Sequence, residues 1–332
     1  MSKDLIPTID TYKEEGIEFT KITNNVGLSV TFSNYGAAIF SINYLGEEMT
    51  FGPKDVKDFL REDVYNGKAI GRVAGRIKGD TIKIGNKSYK LYPNEGKNVL
   101  HGGKGALSSK YFSTRIFSTQ EHVHVVYTYF STSLESGFPG NALFEVHYIV
   151  HNDIPRVKVK LLSYVTEKGP VSMTSHTYFS LGESNLDNLS LQINASKYLE
   201  INPEDLLLGK MSDVPSYLDF RSMKPIMKDI NAPELNKGKL NGYDHSFVLD
   251  KVTEEIPQVV VEGPKFKVDI YTDFDSVVIY TDNLDQKFVA SNSKDKIRRG
   301  IAVEPQPCQG FQHYLSRGDE FDHYIRYEFS KK

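Results

Sequence analysis

The stretch GIAVEPQPCQG, residues 300–310, places a carboxylate at the end of a short apolar segment. Ile301 and Val303 alternate with smaller or polar neighbours, which is the pattern of a half-buried strand. Pro305 restricts the preceding Glu304 to extended backbone angles. We expect the strand to end on this glutamate. The plain interpretation is a solvated strand terminus, and the sharper hypothesis is a base held rigidly at a pocket rim.

A second stretch, GRVAGRI, carries two arginines four residues apart, Arg72 and Arg76. A guanidinium group can clamp an anion or several sugar hydroxyls through its fork of N–H donors. On a strand both side chains would point to the same face, whereas in a loop one or both could turn inward. Two surface arginines are the alternative interpretation.

Two further stretches, LHGGKG and SHTYFSLGES, each contain a histidine. His101 precedes two glycines, which allow unusual backbone angles and close approach of a ligand. His176 shares one face of a strand-like stretch with Tyr178, and this stretch breaks at Gly182. The alternatives are an incidental turn histidine and a core histidine with satisfied hydrogen bonds.

The stretch NGYDHSFVLD supplies a second carboxylate, Asp244, which follows a Gly-Tyr turn and enters an apolar strand. An ordinary turn aspartate is the alternative. No GxSxG elbow occurs, and nothing marks Cys308 as a nucleophile. Two histidines, two carboxylates and an arginine therefore suit proton transfer on a polyhydroxylated substrate better than nucleophilic attack.

Metal binding and phosphate binding find little support in the sequence. His122 and His124 lie two apart in EHVHVVY, a spacing that could supply two metal ligands. Val123 and Val125 occupy the opposite face, so these histidines most simply point to water. No HExxH, CxxC, EF-hand loop, GxxxxGK[ST] or strand-linked GxGxxG occurs. We expect neither a metal nor a cofactor.

Most of the apolar periodicity that must position these groups has a period of two. It is clearest in five segments, residues 27–33, 144–150, 157–161, 189–194 and 265–270. Alternating segments between Gly, Asn, Asp and Pro clusters predict antiparallel sheets in a sandwich or barrel.

Helical signals are sparse. Residues 53–63 predict one helix of about two turns, with Pro53 at its first position. Residues 202–240 are irregular and hold four prolines, so they form either a loop system or a boundary. Because similar strands continue on both sides, we predict an all-β fold, a single large antiparallel β-sandwich domain over residues 1–332 with few short helices.

Composition excludes several classes of protein. A formal charge of −3 argues against a nucleic-acid partner, which usually selects a basic patch. No uncharged apolar run reaches the roughly 18 residues of a membrane span. The polar N-terminal stretch lacks the apolar segment of a signal peptide. The single cysteine, Cys308, excludes an intramolecular disulfide and fits a reducing cytosol. We expect a soluble, cytoplasmic protein and make no prediction of its oligomeric state.

Taken together, these stretches resemble the aldose 1-epimerases, also called galactose mutarotases. GRVAGRI, HGGKG, HTYFSLG, GYDHSF and the strand ending in Glu304 occur in the family's order and approximate spacing. The resemblance runs from about residue 17 to YEF at 327–329, and FPGNALFEVHY is similar to the family's turn and following strand. It implies a β-supersandwich and an isomerase that interconverts α- and β-anomers of free hexoses such as galactose and glucose. It implies no cofactor or metal.

Carried over by position, the resemblance implies that Glu304 is the general base and His176 the general acid. It also implies that Arg76, His101 and Asp244 bind and orient sugar hydroxyls. Opening a cyclic aldose removes the proton on the C1 hydroxyl and adds one to the ring oxygen, so one base and one acid are enough. An upward shift of the histidine pKa by a nearby carboxylate would widen the pH range in which the base is ionised while the acid is protonated.

The sequence departs from the family pattern at three places. Gly75 stands where many members have asparagine, Val278 replaces a glutamine found in some relatives, and QPCQGFQ (306–312) differs from the more usual Pro-Asp pair. These changes leave the implied acid and base in place and bear on the preferred sugar.

Three alternative functions remain open at this point. A glycoside hydrolase would use Asp244 and Glu304 as its two carboxylates. A non-catalytic carbohydrate-binding protein would keep the fold without the reaction. A relative acting on phosphorylated hexoses would need extra basic residues at the pocket mouth, for which Arg72 and Lys104 are the candidates.

Overall fold

The computed structural model describes residues 7–250, 253–283, 298–308 and 313–332. Strands dominate this part of the chain. The first ten are β1 Thr8–Glu14, β2 Ile17–Thr23, β3 Leu28–Ser33, β4 Ala38–Tyr44, β5 Glu47–Glu48, β6 Ala69–Ile70, β7 Arg76–Ile77, β8 Thr81–Ile84, β9 Lys87–Lys90 and β10 Val99–Leu100. The next nine are β11 Ser113–Ser118, β12 His122–Ser131, β13 Ala142–His151, β14 Arg156–Val165, β15 Gly169–Pro170, β16 Thr174–Ser175, β17 Tyr178–Phe179, β18 Ser190–Ile193 and β19 Lys197–Ile201. The remaining strands are β20 Leu208–Asp213, β21 Lys224–Pro225, β22 Asp244–Val248, β23 Val259–Glu262, β24 Phe266–Thr272, β25 Ser276–Tyr280, β26 Ile301–Gln306, β27 Tyr314–Leu315 and β28 Glu320–Lys331.

The helices are short. One α-helix, α1, covers Val56–Phe59. The 3-10 helices are Leu107–Ser109, Glu135–Gly137, Ser216–Leu218, Ile226–Asp229 and Pro233–Asn236. Among the described residues, no helix is long and apolar enough to cross a membrane.

Three sheets carry the fold. One has five strands in the order β1-β2-β3-β4-β5, and another has six in the order β17-β26-β25-β22-β19-β20. The largest has nine, in the order β11-β12-β13-β14-β28-β24-β23-β18-β21. The described residues also form four short two-stranded sheets, β10-β7, β15-β27, β16-β6 and β8-β9. The ladders between these strands are antiparallel, and the predicted all-β antiparallel class is confirmed.

Aromatic side chains hold the sheets face to face. Phe179 of β17 meets Tyr327 of β28 with ring centroids 5.2 Å apart, which joins the six- and nine-stranded sheets. Phe32 of β3 stacks on Tyr148 of β13 at 4.5 Å, which joins the five- and nine-stranded sheets. Burying such rings is a major source of stability in a sandwich core. The alternation of β13, with Phe144 inward and its neighbours outward, shows how the period of two produces this core.

The predicted helix over residues 53–63 is too long. Asp55 caps α1 by accepting a hydrogen bond from the Lys57 backbone N–H at 2.8 Å, so the helix begins after Pro53. Only Val56 and Phe59 are buried, and the helix ends at the latter. The chain then turns, and its next residues line a cavity, so tertiary packing overrides the local helical tendency.

The predicted end of the strand at Glu304 is also wrong, because β26 continues through Pro305 to Gln306. β17 pairs only with the start of β26, where Tyr178 lies opposite Ala302. Beyond that point no β17 residue pairs with β26, so the missing N–H of the proline leaves that ladder intact. The proline is therefore compatible with a continuing strand.

Candidate active site

All five site residues named from the sequence line one cavity of about 390 Å³. They are Arg76, His101, His176, Asp244 and Glu304. The six-stranded sheet forms one wall with residues from β17, β19, β20, β22, β25 and β26. Loops around residues 61–66 and 95–101 complete the enclosure. This volume is at the lower end of the range of small-molecule sites, about 300–1,000 Å³.

The backbone of β26 fixes Glu304 on the sheet. It lies opposite Val278 in the register with β25, and only 3% of its surface is exposed. The carbonyl of Pro305 accepts a hydrogen bond from Thr174 Oγ1 at 2.7 Å, which ties β26 to β16. The carboxylate therefore projects into the cavity from a strand whose backbone is hydrogen-bonded on both sides of it.

Backbone bonds and aromatic rings hold His176. Its N–H donates to the Lys68 carbonyl at 3.0 Å, and its carbonyl accepts from the Gly67 N–H at 2.8 Å. Its imidazole ring stacks between Tyr178, at a centroid distance of 5.1 Å, and Tyr65, at 5.8 Å. The ring is buried and has little freedom to turn, which is what a positioned proton donor requires.

The central contact joins His176 Nε2 to Glu304 Oε1 at 3.2 Å. Burial raises the Glu304 pKa well above its usual range, and the negative Asp244 adds to this while Arg76 opposes it. Burial also lowers the His176 pKa to about 3, opposite to the shift that would widen the working pH range. Both shifts have the same cause, because burial disfavours separated charges and draws a shared proton toward the carboxyl group.

His101 is held as a hydrogen-bond donor. Its backbone has a φ of 53°, and the glycines that follow it also have positive φ. The Gly75 backbone N–H donates to His101 Nδ1 at 3.3 Å, so this nitrogen carries the lone pair. Burial lowers the His101 pKa, with His176 and Arg76 adding to the effect, and the ring is neutral. Its single proton therefore lies on Nε2.

Arg76 is fixed between two carboxylates. It donates to Glu95 through Nε at 2.8 Å and through a terminal nitrogen at 3.0 Å, the two-point geometry that suits a guanidinium group. Its other terminal nitrogen lies 3.4 Å from Asp244 Oδ2. Asp244 begins β22 as the sequence predicted, and Arg76 begins β7. The three side chains form a rigid row of donors and acceptors along the cavity.

Glu95→Gln is expected to raise KM about tenfold and to change kcat little. The substitution weakens a charge-assisted pair, which contributes about 1.5–3 kcal/mol, and lets Arg76 leave the position that orients the substrate. Steady-state kinetics on an aldose, the substrate class that the sequence resemblance implies, would measure it. Asp219→Asn is the matched control, because Asp219 holds Arg221 through the same two-point contact outside the cavity. An unchanged KM in Glu95→Gln would contradict this role for Arg76.

Sequence reasoning missed Glu95, Gln306 and Tyr65, all of which line the cavity. Gln306 had a signal, because it lies two residues after Glu304 on the same strand and therefore faces the same side. Glu95 had none, since it lies in a loop without periodicity and reaches Arg76 only in three dimensions. Tyr65 lies two residues beyond the segment 53–63 that the sequence assigned to a helix, where no periodic pattern marks it.

Of the other residues singled out in the sequence, some line the cavity and others lie outside it. Arg72 is buried and donates to the Pro139 carbonyl at 2.7 Å, outside the cavity. Cys308 is half-buried, and burial raises its pKa to about 11, opposite to what a thiolate nucleophile needs. Gly75 and Val278, two of the departures from the family pattern, line the cavity. Within the third departure, residues 309–312 lie outside the described residues.

Three cavity residues offer atoms that could bind a metal. Each residue offers one ligand atom, and these atoms lie within 4.8 Å of one another; the residues are His101, His176 and Glu304. The hydrogen bond from Gly75 occupies the lone pair of His101 Nδ1, however, and leaves a proton on its other nitrogen. A metal at Nε2 would have to break that bond, so this donor set fits hydrogen bonding better than metal coordination.

The fold and the cavity together define a β-sandwich protein with an acid–base site for a small molecule. The family model for aldose 1-epimerase matches residues 18–328, and the chain belongs to this family, whose members are isomerases. An aldose 1-epimerase from Haemophilus influenzae is 30% identical over 284 residues, covering 81% of this chain and 80% of the relative. A galactose mutarotase from Bos taurus is 27% identical over 301 residues, covering 85% of this chain and 84% of the relative.

A solved structure supports the same assignment. The crystal structure of a galactose 1-epimerase from Lactobacillus acidophilus superimposes with a TM-score of 0.86 at 25% sequence identity. The match covers 98% of this chain and 99% of that chain. The resemblance drawn from five short motifs is therefore confirmed over nearly the whole fold.

Proposed function

We propose that this protein is an aldose 1-epimerase that interconverts the α- and β-anomers of free hexoses such as galactose and glucose. The observation that carries the proposal is the 3.2 Å contact between His176 Nε2 and Glu304 Oε1 inside the cavity. The C1 hydroxyl and the ring oxygen of an aldose are bonded to the same carbon. Their acid and base must therefore be neighbours, as these two groups are.

In the proposed reaction Glu304 accepts the proton of the C1 hydroxyl while His176 donates one to the ring oxygen. The C1–O5 bond breaks, C1 becomes an aldehyde, and the C1–C2 bond rotates. Closure on the other face returns each proton by the same route in reverse. Positioned acid and base groups contribute about 10²–10⁴-fold each, and the reaction requires no redox step.

One shared proton serves both directions of this cycle. Ring opening needs the proton on His176 and an ionised Glu304, and it ends with the proton on the carboxyl group. The sugar-free protein favours this second arrangement, because burial disfavours separated charges. A bound sugar places a ring oxygen and a hydroxyl beside the pair, and these polar groups offset part of that cost. The protein thus begins and ends each turnover with the same number of protons.

The rest of the cavity suits a free, uncharged sugar. His101 supplies an N–H donor, and Arg76 and Asp244 supply a donor and an acceptor for adjacent hydroxyls. An apolar wall faces the cavity and suits the C–H surface of a pyranose ring; its members are Ile201, Leu206, Leu208 and Val278.

The charges in the cavity do not favour a phosphorylated hexose. Arg61 lines the cavity but donates to both oxygens of Asp63, at 2.8 and 3.0 Å. Arg76 is balanced by Glu95 and by Asp244. Lys104 is exposed and does not line the cavity. A phosphate group would therefore meet cations whose charge is already compensated.

We further propose that residues 1–332 act as one domain and that the protein works in the cytoplasm on a small-molecule aldose. Support for one domain comes from the main core cluster, which runs from Ile22 to Phe329 and includes Leu218 and Leu235 of the irregular segment. Support for the cytoplasm comes from the single cysteine, which excludes an intramolecular disulfide.

Polarimetry of freshly dissolved α-D-galactose and α-D-glucose tests the proposed function. We expect the protein to speed the relaxation of optical rotation for at least one of them. Methyl α-D-galactoside is the control, because its blocked anomeric oxygen cannot lose a proton and its rotation should stay constant. No acceleration across a panel of aldoses, with or without sugar binding, would overturn the proposal. Release of reducing sugar from the methyl glycoside would instead indicate a hydrolase.

A further inference from the structure

Four histidines lie together on the face of the nine-stranded sheet opposite the core. His122 and His124 lie on β12, and His147 and His151 lie on the neighbouring β13. The register pairs His122 with His151, and ring centroids are 6.1 Å apart for this pair and 5.1 Å for His124 and His147. All four are partly buried, and Val123 faces the core instead. The sequence suggested only two of these residues as a pair.

The hydrogen bonds of this cluster define which nitrogen carries a lone pair. His147 Nε2 lies 3.3 Å from Glu145 Oε2, and an ionised carboxylate only accepts, so the His147 proton lies on Nε2. His147 Nδ1 is therefore a lone-pair nitrogen, and it lies 3.1 Å from His124 Nε2. Glu145 is fixed in turn, because its other oxygen accepts from Thr128 Oγ1 at 3.1 Å and from Arg115 at 3.3 Å.

We propose that this face binds a divalent transition metal of the zinc type through His124 Nε2 and His147 Nδ1, with water completing the shell. With Zn–N bonds of about 2.0–2.1 Å, two nitrogens on a tetrahedral zinc lie about 3.3–3.4 Å apart. The observed 3.1 Å separation is close to that edge.

The surroundings of His147 match those of a metal-bound histidine. Such a histidine usually donates its second ring N–H to a carboxylate, which fixes the ring and raises its basicity. Glu145 already occupies this place, and its partners hold it there without a metal. His124 needs only to move its proton from Nε2 to Nδ1, since a neutral imidazole carries a single proton on either nitrogen.

The charges beside the two nitrogens are partly balanced. Glu145, which holds His147, also accepts a hydrogen bond from Arg115 at 3.3 Å. The negative charge of Glu145 partly offsets the positive Arg115 beside an incoming cation.

The metal site is separate from the sugar cavity. None of the described cavity-lining residues belongs to the nine-stranded sheet. Bound zinc would cross-link β12 and β13, and it would stabilise the folded state by an amount that grows with the logarithm of the free zinc concentration above Kd. It would not alter the proton transfer proposed above. The inference therefore does not depend on the proposed function.

Isothermal titration calorimetry of the full chain with Zn²⁺, after treatment with EDTA, tests the proposal. We expect one zinc equivalent in the wild type and at least a tenfold loss of affinity in His124→Asn and in His147→Asn. Glu145→Gln should lower the affinity by about 10–100-fold, as for other residues that support a metal ligand. The thermal midpoint should rise with Zn²⁺ in the wild type and much less in these variants, and their metal-free midpoints report on folding.

Two further variants identify the site. His151→Asn changes the same face without removing a proposed ligand and should keep the zinc affinity within about twofold, whereas a tenfold loss would overturn this ligand set. His176→Asn removes the rival donor in the sugar cavity and should leave zinc binding intact. If zinc binding is instead lost in that variant and retained in His124→Asn, the proposal is wrong. Zinc at one equivalent should also leave the mutarotation rate unchanged.

Discussion

Glu304→Gln is expected to lower kcat for mutarotation by about 10²–10⁴-fold, because an amide cannot accept the proton of the C1 hydroxyl. The substitution keeps the size and shape of the side chain. Burial raises the Glu304 pKa well above its usual range, so the fold favours a neutral side chain at this position. A neutral amide should therefore leave the thermal midpoint almost unchanged. Polarimetry at saturating sugar, corrected for the spontaneous rate, measures the loss.

The matched control for this variant is Glu262→Gln, the same chemical change at the surface of β23, where the carboxylate pairs with Lys332. It should keep full activity. Sugar affinity provides the second readout, since Glu304→Gln should still bind galactose or glucose through Arg76 and Asp244. A variant that retains more than about a tenth of the wild-type kcat would exclude Glu304 as the base.

His176→Asn should cause a loss of similar size, about 10²–10⁴-fold in kcat, because an asparagine amide cannot transfer a proton to the ring oxygen as an imidazolium does. The stacked tyrosines on either side of the ring would lose their partner, so some loss of stability is expected as well. Thermal unfolding should be measured beside polarimetry to separate the two effects. His151→Asn, on the outer face of the nine-stranded sheet, is the control and should retain activity.

The pH profile separates an acid catalyst from a merely structural histidine. The wild-type pair is active when it holds one proton, so kcat/KM should fall as pH rises through the raised pKa of Glu304, where the pair loses that proton. On the acid side, activity should be lost only near pH 3, where His176 takes up a second proton. In His176→Asn the residual activity depends on ionised Glu304 alone and should rise with pH instead. A variant that keeps the wild-type profile would contradict the assignment.

The local sequence pattern was sufficient to predict the antiparallel sheets and to identify the family. Alternation along β13 and β14 predicted antiparallel strands because neighbouring side chains of a strand point to opposite faces. The motif around Glu304 and the four other motifs identified the family by their order. The five residues named from these motifs then proved to line one cavity, because the ends of several strands and loops meet there.

The local sequence pattern was not sufficient to predict features that depend on contacts between segments distant in the chain. The helix predicted over residues 53–63 has only one turn, since Arg61 and Asp63 line the cavity wall instead. The strand predicted to end at Glu304 continues through Pro305, because β17 does not pair with it at that point. Glu95 reaches Arg76 from a loop that has no sequence signal.

The sequence by itself thus determined which chemical groups the protein has and which strands carry them, since both follow from residue type and spacing. The tertiary structure decided their protonation and their partners. Burial sets the pKa directions of His176 and Glu304, and burial depends on every chain segment that packs around them. In the same way, His147 joins His124 only because β13 pairs with β12 in one particular register.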